Sequence, residues 1–302
     1  MALARWRKVR PICQTPSNML SQSRVAALFA KRPMNPVYPG TLSILLYVAG
    51  CYLQFRALSA RDPRPPKPML AVSIPAVALH GLCLALVIYA DTGIDLSMFT
   101  IASLIAFAAT VTILAAALAQ PQGRLDNLYL LVFPFSIVAV AGSLAFGGTK
   151  VHEVLEGRLL AHLLVSIFAY TLLTVAAFQA ILLWVQERRI RHKEPIGVIR
   201  ILPPLETLEA FLFQLLWVGF ALLTVSITIG FVFLDNVLAP DVVYHTVLAT
   251  VSWCIYVGLL VGHRVIGWRG TMAARWTLSA FGLLGIGYFG SRFILEFVVG
   301  AG

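Results

Sequence analysis

The sequence predicts an all-α fold, a polytopic membrane helical bundle of about eight transmembrane helices, and three observations predict it. Of its 302 residues, 59% are hydrophobic and only 12% are charged, with a mean hydropathy of +0.86. Soluble domains carry about 25% charged residues. A helix that crosses a bilayer needs about 20 mostly apolar residues, and the chain holds eight such runs. Lysine and arginine also collect in alternate loops, which is the asymmetry that orients membrane helices.

The runs lie near 38–58, 69–90, 96–119, 127–146, 159–184, 208–234, 244–265 and 277–299. A first loop with Arg56, Arg61, Arg64 and Lys67 separates the first two. Pro75 and Pro134 fall inside the second and fourth, where a missing N–H tends to kink a helix. Arg124 follows the third run. The longest loop, about 185–207, carries Arg188, Arg189, Arg191, Lys193 and Arg200. Pro203-Pro204 ends it just before Leu205-Glu206-Thr207, a suitable start for the sixth helix. His245 opens the seventh run, and His263 closes it ahead of the basic turn Gly267-Trp268-Arg269-Gly270. The eighth run carries Arg292 and, one turn later, Glu296.

With Arg264, Arg269 and Arg275 in the seventh loop, the odd loops hold thirteen basic residues, against Lys150 and Arg158 in the even ones. Odd loops are therefore expected in the cytoplasm and both termini outside. Residues 1–33 conflict with this: Arg5, Arg7, Lys8, Arg10, Arg24, Lys31 and Arg32 stand there without an acid. A start at Met34, a cleaved or targeting segment, and a miscounted helix each account for the conflict. The start at Met34 is preferred, because the first span follows it directly and 1–33 has no clear apolar core. The expected division is a basic N-terminal extension, 1–33, and a transmembrane domain, 34–302.

Beyond that extension, sixteen basic residues face thirteen acidic ones, so nothing supports nucleic-acid binding and the lipid bilayer is the expected partner. Cys13, Cys51, Cys83 and Cys254 form no C-x-x-C pair and read as small hydrophobes. There is no nucleophile motif, P-loop or dinucleotide fingerprint, and no clustered zinc ligands. No classical catalytic constellation is therefore expected.

Histidines inside a bilayer are costly and are functional candidates. His80 lies near the middle of the second span, and His162 at the outer end of the fifth. His245 and His263 are 18 residues apart, five α-helical turns, so they share one face about 27 Å apart. His245 reads either as a first-turn helix residue or as a ligand, and His263 either as an interfacial residue or as a ligand. His152 and His192 read as solvated loop residues. Arg292 either neutralises Glu296 at i,i+4 or faces an anion such as a propionate near the outer surface.

Around these residues the chain resembles the cytochrome c assembly proteins, the heme-handling membrane proteins of the CcsA and CcmC kind, in their short eight-helix inner-membrane branch. The resemblance spans about 34–299 and rests on His80, His162 through Ser166 to Tyr170, and Leu202-Pro203-Pro204-Leu205-Glu206. It continues with Gly219-Phe220, Thr224, Trp253, Gly262-His263-Arg264, Gly267-Trp268-Arg269-Gly270 and Tyr288-Phe289-Gly290-Ser291-Arg292. It implies heme, b-type and non-covalent, with His80 and His263 as iron axial ligands within the membrane and His162 as the first outer-face histidine. Paired neutral imidazoles are competent axial ligands. It also implies heme handling or cytochrome c biogenesis in a bacterial inner membrane, beside other biogenesis proteins.

Two departures stand against the family pattern. The outer loop Asp235–Asp241 has no tryptophan, and no histidine follows His263. His245 is the residue placed to substitute as the second outer histidine. A membrane transporter, or an accessory subunit of one, that keeps the fold without heme delivery is the alternative.

Overall fold

The computed structural model describes residues 35–60, 67–90, 93–119, 126–147, 150–151, 157–192, 204–233 and 243–293. Eight helices follow in order: α1 (Val37–Ala60), α2 (Lys67–Ile88), α3 (Met98–Ala119), α4 (Tyr129–Phe146), α5 (Gly157–Arg191), α6 (Leu205–Phe233), α7 (Val243–Val265) and α8 (Gly270–Gly285). After α8 the chain runs on through a π-helical segment, Ile286–Gly290, and one further turn, Ser291–Phe293. Six of the helices, α2 to α7, are long and apolar enough to cross a membrane. The all-α polytopic bundle read from the sequence is the observed fold. Pro75 and Pro134 both lie inside unbroken helices.

Two boundaries differ from expectation. The helix α5 continues to Arg191, seven residues into the segment read as loop. Both Nε and Nη2 of Arg191 donate to Glu187 Oε1, an i,i+4 pair that supports a helix in water where hydropathy gives no signal. Similarly, α8 starts at Gly270 rather than 277, because its first two turns carry Arg275 and small residues rather than a strongly apolar run. The backbone reaches α8 through Gly267 and Gly270, at φ values of 80° and 55°, a left-handed conformation that glycine adopts without strain. Three very short strands, β1 (Tyr89–Ala90), β2 (Gly93–Asp95) and β3 (Lys150–Val151), also pair antiparallel and join two loops at one end of the bundle.

The helices form two groups. In the first, α1 packs on α2 and α4, while α3 packs on α2 and α4. In the second, α5 packs on α6 and α8, while α7 packs on α6 and α8. The seam between the groups is mainly α3 against α5. Each group closes a ring of four, so each has its own interior, and polar side chains buried there must be satisfied by neighbouring helices.

Candidate functional site

In the first group, α1 turns Ser43, Tyr47, Gly50 and Gln54 toward the interior at helical spacing. Tyr47 meets His80 of α2, which is fully buried. His80 Nδ1 lies 3.0 Å from the Tyr47 hydroxyl, and its Nε2 lies 3.0 Å from Ser103 Oγ of α3. Edge-on contacts from Tyr47 and Phe107 complete the cage. Both ring nitrogens are therefore engaged by hydroxyls, and one imidazole ties three helices together.

His263 sits in the second group, at the end of α7. Its Nδ1 donates to the Trp268 carbonyl at 2.9 Å, and its ring stacks on Phe213 of α6 at 3.5 Å. Trp268 in turn lies on Trp276 and directly over Gly262, where an added Cβ would come within 2.4 Å of the indole. The Gly270 N–H donates to Glu209 of α6. That bond caps the start of α8, where Arg269 supplies no side-chain cap.

The structure does not bring His80 and His263 together. Along α2, His80 stands thirteen residues from Lys67, about 20 Å. His263 stands two residues from the end of α7, about 3 Å. With α2 to α7 crossing in turn, these two helix ends lie on the same membrane side, so the histidines sit at different depths and in different four-helix groups. They share no contact residue among those described.

What it does bring together is His162 and His245. His162 lies near the start of α5, and His245 near the start of α7, the end that the charge pattern assigns to the outside. His162 and Arg292 both fall within electrostatic reach of His245. His162 Nδ1 lies 3.0 Å from the Ser226 carbonyl of α6. A carbonyl only accepts, so Nδ1 carries the proton, and in the neutral ring Nε2 is left with the lone pair. Gly230, one turn beyond Ser226, leaves room for the ring: a Cβ there would sit 3.4 Å from His162 Cε1. Below it, Ser166 Oγ donates to the His162 carbonyl at 2.6 Å and lies 2.6 Å from Ser226 Oγ. Ser166 has a single hydroxyl hydrogen, so Ser226 is the donor in that contact.

His245 presents its ring edge-on to Tyr288, with centroids 5.7 Å apart. The Gly287 carbonyl lies toward the imidazole, yet buried Nδ1 has no hydrogen-bond partner among the described residues. A buried orphan of this kind costs about 1–3 kcal/mol and marks a place where a ligand would be stabilising. Glu296 and His152 lie outside the described residues. His192 is exposed past the end of α5. No group of three or more His, Cys, Asp or Glu side chains suited to a metal ion occurs among the described residues.

Sequence reasoning missed Tyr47, Ser103, Ser226 and the π-helical segment. A polar and small-residue stripe at 43, 47, 50 and 54 in an apolar span was the available signal for Tyr47. Nothing in the sequence pointed to the Ser226 carbonyl, which acts through the backbone.

Comparison with known proteins places this geometry in context. The inner membrane protein YpjD of Escherichia coli strain K12 is 26% identical over 267 residues, covering 87% of this chain and 99% of that protein. YpjD of Escherichia coli O157:H7 matches to the same extent. An uncharacterized 28.8 kDa protein of Azospirillum brasilense is 34% identical over 143 residues, covering 46% of this chain and 52% of that protein. No solved structure matches the chain. The pattern of the cytochrome C assembly protein family matches residues 69–299, which takes in every helix from α2 onward and all four candidate histidines. This chain is a membrane protein that belongs to the cytochrome c assembly protein family.

Proposed function

We propose that the protein binds heme non-covalently at the outer end of its second helix group and handles it for cytochrome c assembly in the bacterial inner membrane. The observation that carries this reading is the His162–His245 pair. Two imidazoles from different helices lie within electrostatic reach, one with its proton held on Nδ1 and the other with a buried, unpartnered Nδ1. Metal-bound histidines usually donate their second N–H to a carbonyl or carboxylate, which fixes the ring and its tautomer. His162 already has that arrangement through Ser226. The donor set suits a heme iron, which takes two axial nitrogens, better than zinc, which wants four ligands.

Heme would supply a redox-active iron whose potential the pocket tunes. His162 and His245 would hold the group, the first oriented by the Ser226 carbonyl and the second by the Tyr288 ring. In this reading His80 belongs to the framework, since both of its nitrogens are occupied, and His263 fixes the turn into α8. Involvement in cytochrome c assembly follows the family, and the inner membrane follows the relatives named for it.

The test is the visible spectrum of the detergent-purified protein reconstituted with heme. A Soret band that is lost in His162→Ala and in His245→Ala, and kept in His80→Ala and His263→Ala, is the expected result. A wild type that takes up no heme, or whose band survives loss of both outer histidines, overturns the reading.

A further inference from the structure

We infer that the first helix group holds a one-sided proton path, in which His80 exchanges protons with the outer end of the bundle and Phe133 closes the inner side. The path lies wholly in that group and does not depend on the heme-binding reading. Its centre is the imidazole between two hydroxyls, Tyr47 Oη and Ser103 Oγ, each at 3.0 Å. A hydroxyl both donates and accepts, whereas a carbonyl only accepts. His162 and His263 face carbonyls, which hold one tautomer, but His80 has two arrangements open to it. In one, Ser103 donates to Nε2 and Nδ1–H donates to Tyr47, whose own proton points to Thr110 or Ser136 beside it. In the other, Tyr47 donates to Nδ1 and Nε2–H donates to Ser103, whose proton turns to a carbonyl one turn back. Uptake of a proton at Nε2 and release of another from Nδ1 to the Tyr47 oxygen, as the phenol proton moves on, converts the first arrangement into the second. The ring is neutral before and after.

The hydroxyl column continues outward from Ser103. Thr100 stands one turn away on the same face of α3, and Ser97 Oγ donates to its Oγ1 at 2.9 Å. The Ser97 N–H donates to Asp95 Oδ1 at 2.8 Å, at the end that the charge pattern assigns to the outside. At 1.5 Å per residue from the outer helix ends, Thr100, Ser103, His80 and Tyr47 lie about 3, 8, 12 and 15 Å deep. Every one of these polar side chains, Asp95 and Ser97 included, is buried. An ionisable group inside a membrane bundle, joined to a chain of polar partners, is the arrangement that proton relays use. Toward the inner end the column stops. Thr110 Oγ1 donates to the Ala106 carbonyl, so Ser136 Oγ is the donor in their contact at 3.0 Å. Beyond them the Phe133 ring lies 5.1 Å from the Tyr47 ring and fills the notch at Gly50, where an added Cβ would overlap it. Polar groups resume only at Gln54, about 26 Å deep on α1, whose Oε1 is buried without a partner among the described residues. One aromatic ring therefore separates two polar stretches, and the outer stretch can fill and empty only from its own end.

The experiment reconstitutes the purified full chain into lipid vesicles loaded with a pH-sensitive dye and drives proton entry with a potassium diffusion potential. The wild type is expected to add nothing to the leak of empty vesicles, because Phe133 seals the path. Phe133→Ser is expected to admit protons, and His80→Phe added to it to return entry to the empty-vesicle rate. A second measurement leaves the seal intact. The ring N–H of His80, identified by NMR of histidine-labelled protein through its absence from His80→Phe, should exchange with deuterated solvent faster than the backbone amides of α2. Thr100→Val, which cuts the column without removing a bond of His80, should slow that exchange to the rate at which the bundle itself opens. Proton entry through the wild type overturns the seal. A folded Phe133→Ser that stays tight overturns the path, as does a flux that survives His80→Phe. A His80 ring proton that exchanges no faster than the amides, or that is indifferent to Thr100→Val, overturns it equally. Should Phe133→Ser not fold, the exchange rates of the wild type and Thr100→Val decide by themselves.

Discussion

Replacing His80 with alanine separates the framework reading of this residue from the ligand role that the family resemblance implies. The imidazole is fully buried, contacts Tyr47 and Phe107 edge-on, and shares hydrogen bonds of 3.0 Å with Tyr47 and with Ser103. Removing a buried ring of this size leaves a cavity worth about 3 kcal/mol, at the lower end of the aromatic-to-alanine range. The polar loss is smaller. Ser103 can turn its hydroxyl to a carbonyl one turn back, and the hydroxyls of Thr110 and Ser136 stand near the Tyr47 phenol to take over its bond. Interhelical hydrogen bonds within a membrane average only about 0.6 kcal/mol. The total is about 3–4 kcal/mol, or a fall in Tm of roughly 6–16 °C at 2–4 °C per kcal/mol for a chain of this size. Thermal unfolding in detergent, followed by loss of the monodisperse peak on size exclusion, measures it. Retained stability would refute the framework argument, and a folded variant that had lost its Soret band would make His80 a heme ligand.

Three further outcomes follow from the same contacts. Gly262→Ala should displace the Trp268 indole, since an added Cβ would lie 2.4–2.7 Å from three of its atoms. Red-shifted tryptophan emission and faster proteolysis between α7 and α8 would register this. Ser226→Ala should leave heme binding at His162 intact, because the acceptor is the backbone carbonyl. It should cost at most about 1 kcal/mol for the lost Ser166 contact, and a vanished Soret band would contradict that assignment. Arg191→Ala should change stability by less than about 0.5 kcal/mol, because its side chain is 68% exposed in the pair with Glu187. A shift in Tm beyond 2 °C, on the scale cited for chains of this size, would show that the end of α5 carries a tertiary role.

The fold was legible because a bilayer simplifies the problem. Lipid offers no hydrogen-bond partners, so each crossing is a helix whose residues are mostly apolar. The same rule explains the errors at Arg191 and Gly270. Hydropathy reports where the lipid ends, whereas α5 runs past that boundary on an i,i+4 pair and α8 begins before it among small and charged residues. A period-based reading of polarity rather than hydropathy would have found both starts and stops more closely. It would also have marked the face of α1 that carries Tyr47.

The site was legible only as parts. The helical repeat correctly sets His245 and His263 on one face of α7, five turns apart, and thereby excludes their sharing one ligand. It says nothing about which neighbouring helix faces either of them. That choice depends on how the second group closes, with α5 beside both α6 and α8 and α7 beside α8. The closure carries His162 of α5 to the Ser226 carbonyl of α6 and the π turn of α8 to His245 of α7. Each imidazole is therefore held by a helix other than its own, His162 by a backbone carbonyl that no side-chain pattern announces and His245 against the Tyr288 ring. A site built in this way tolerates change in the side chains of its supports more readily than change in helix phase. The sharper probes of this protein are accordingly shifts of register in the last helix, rather than polar substitutions around the histidines.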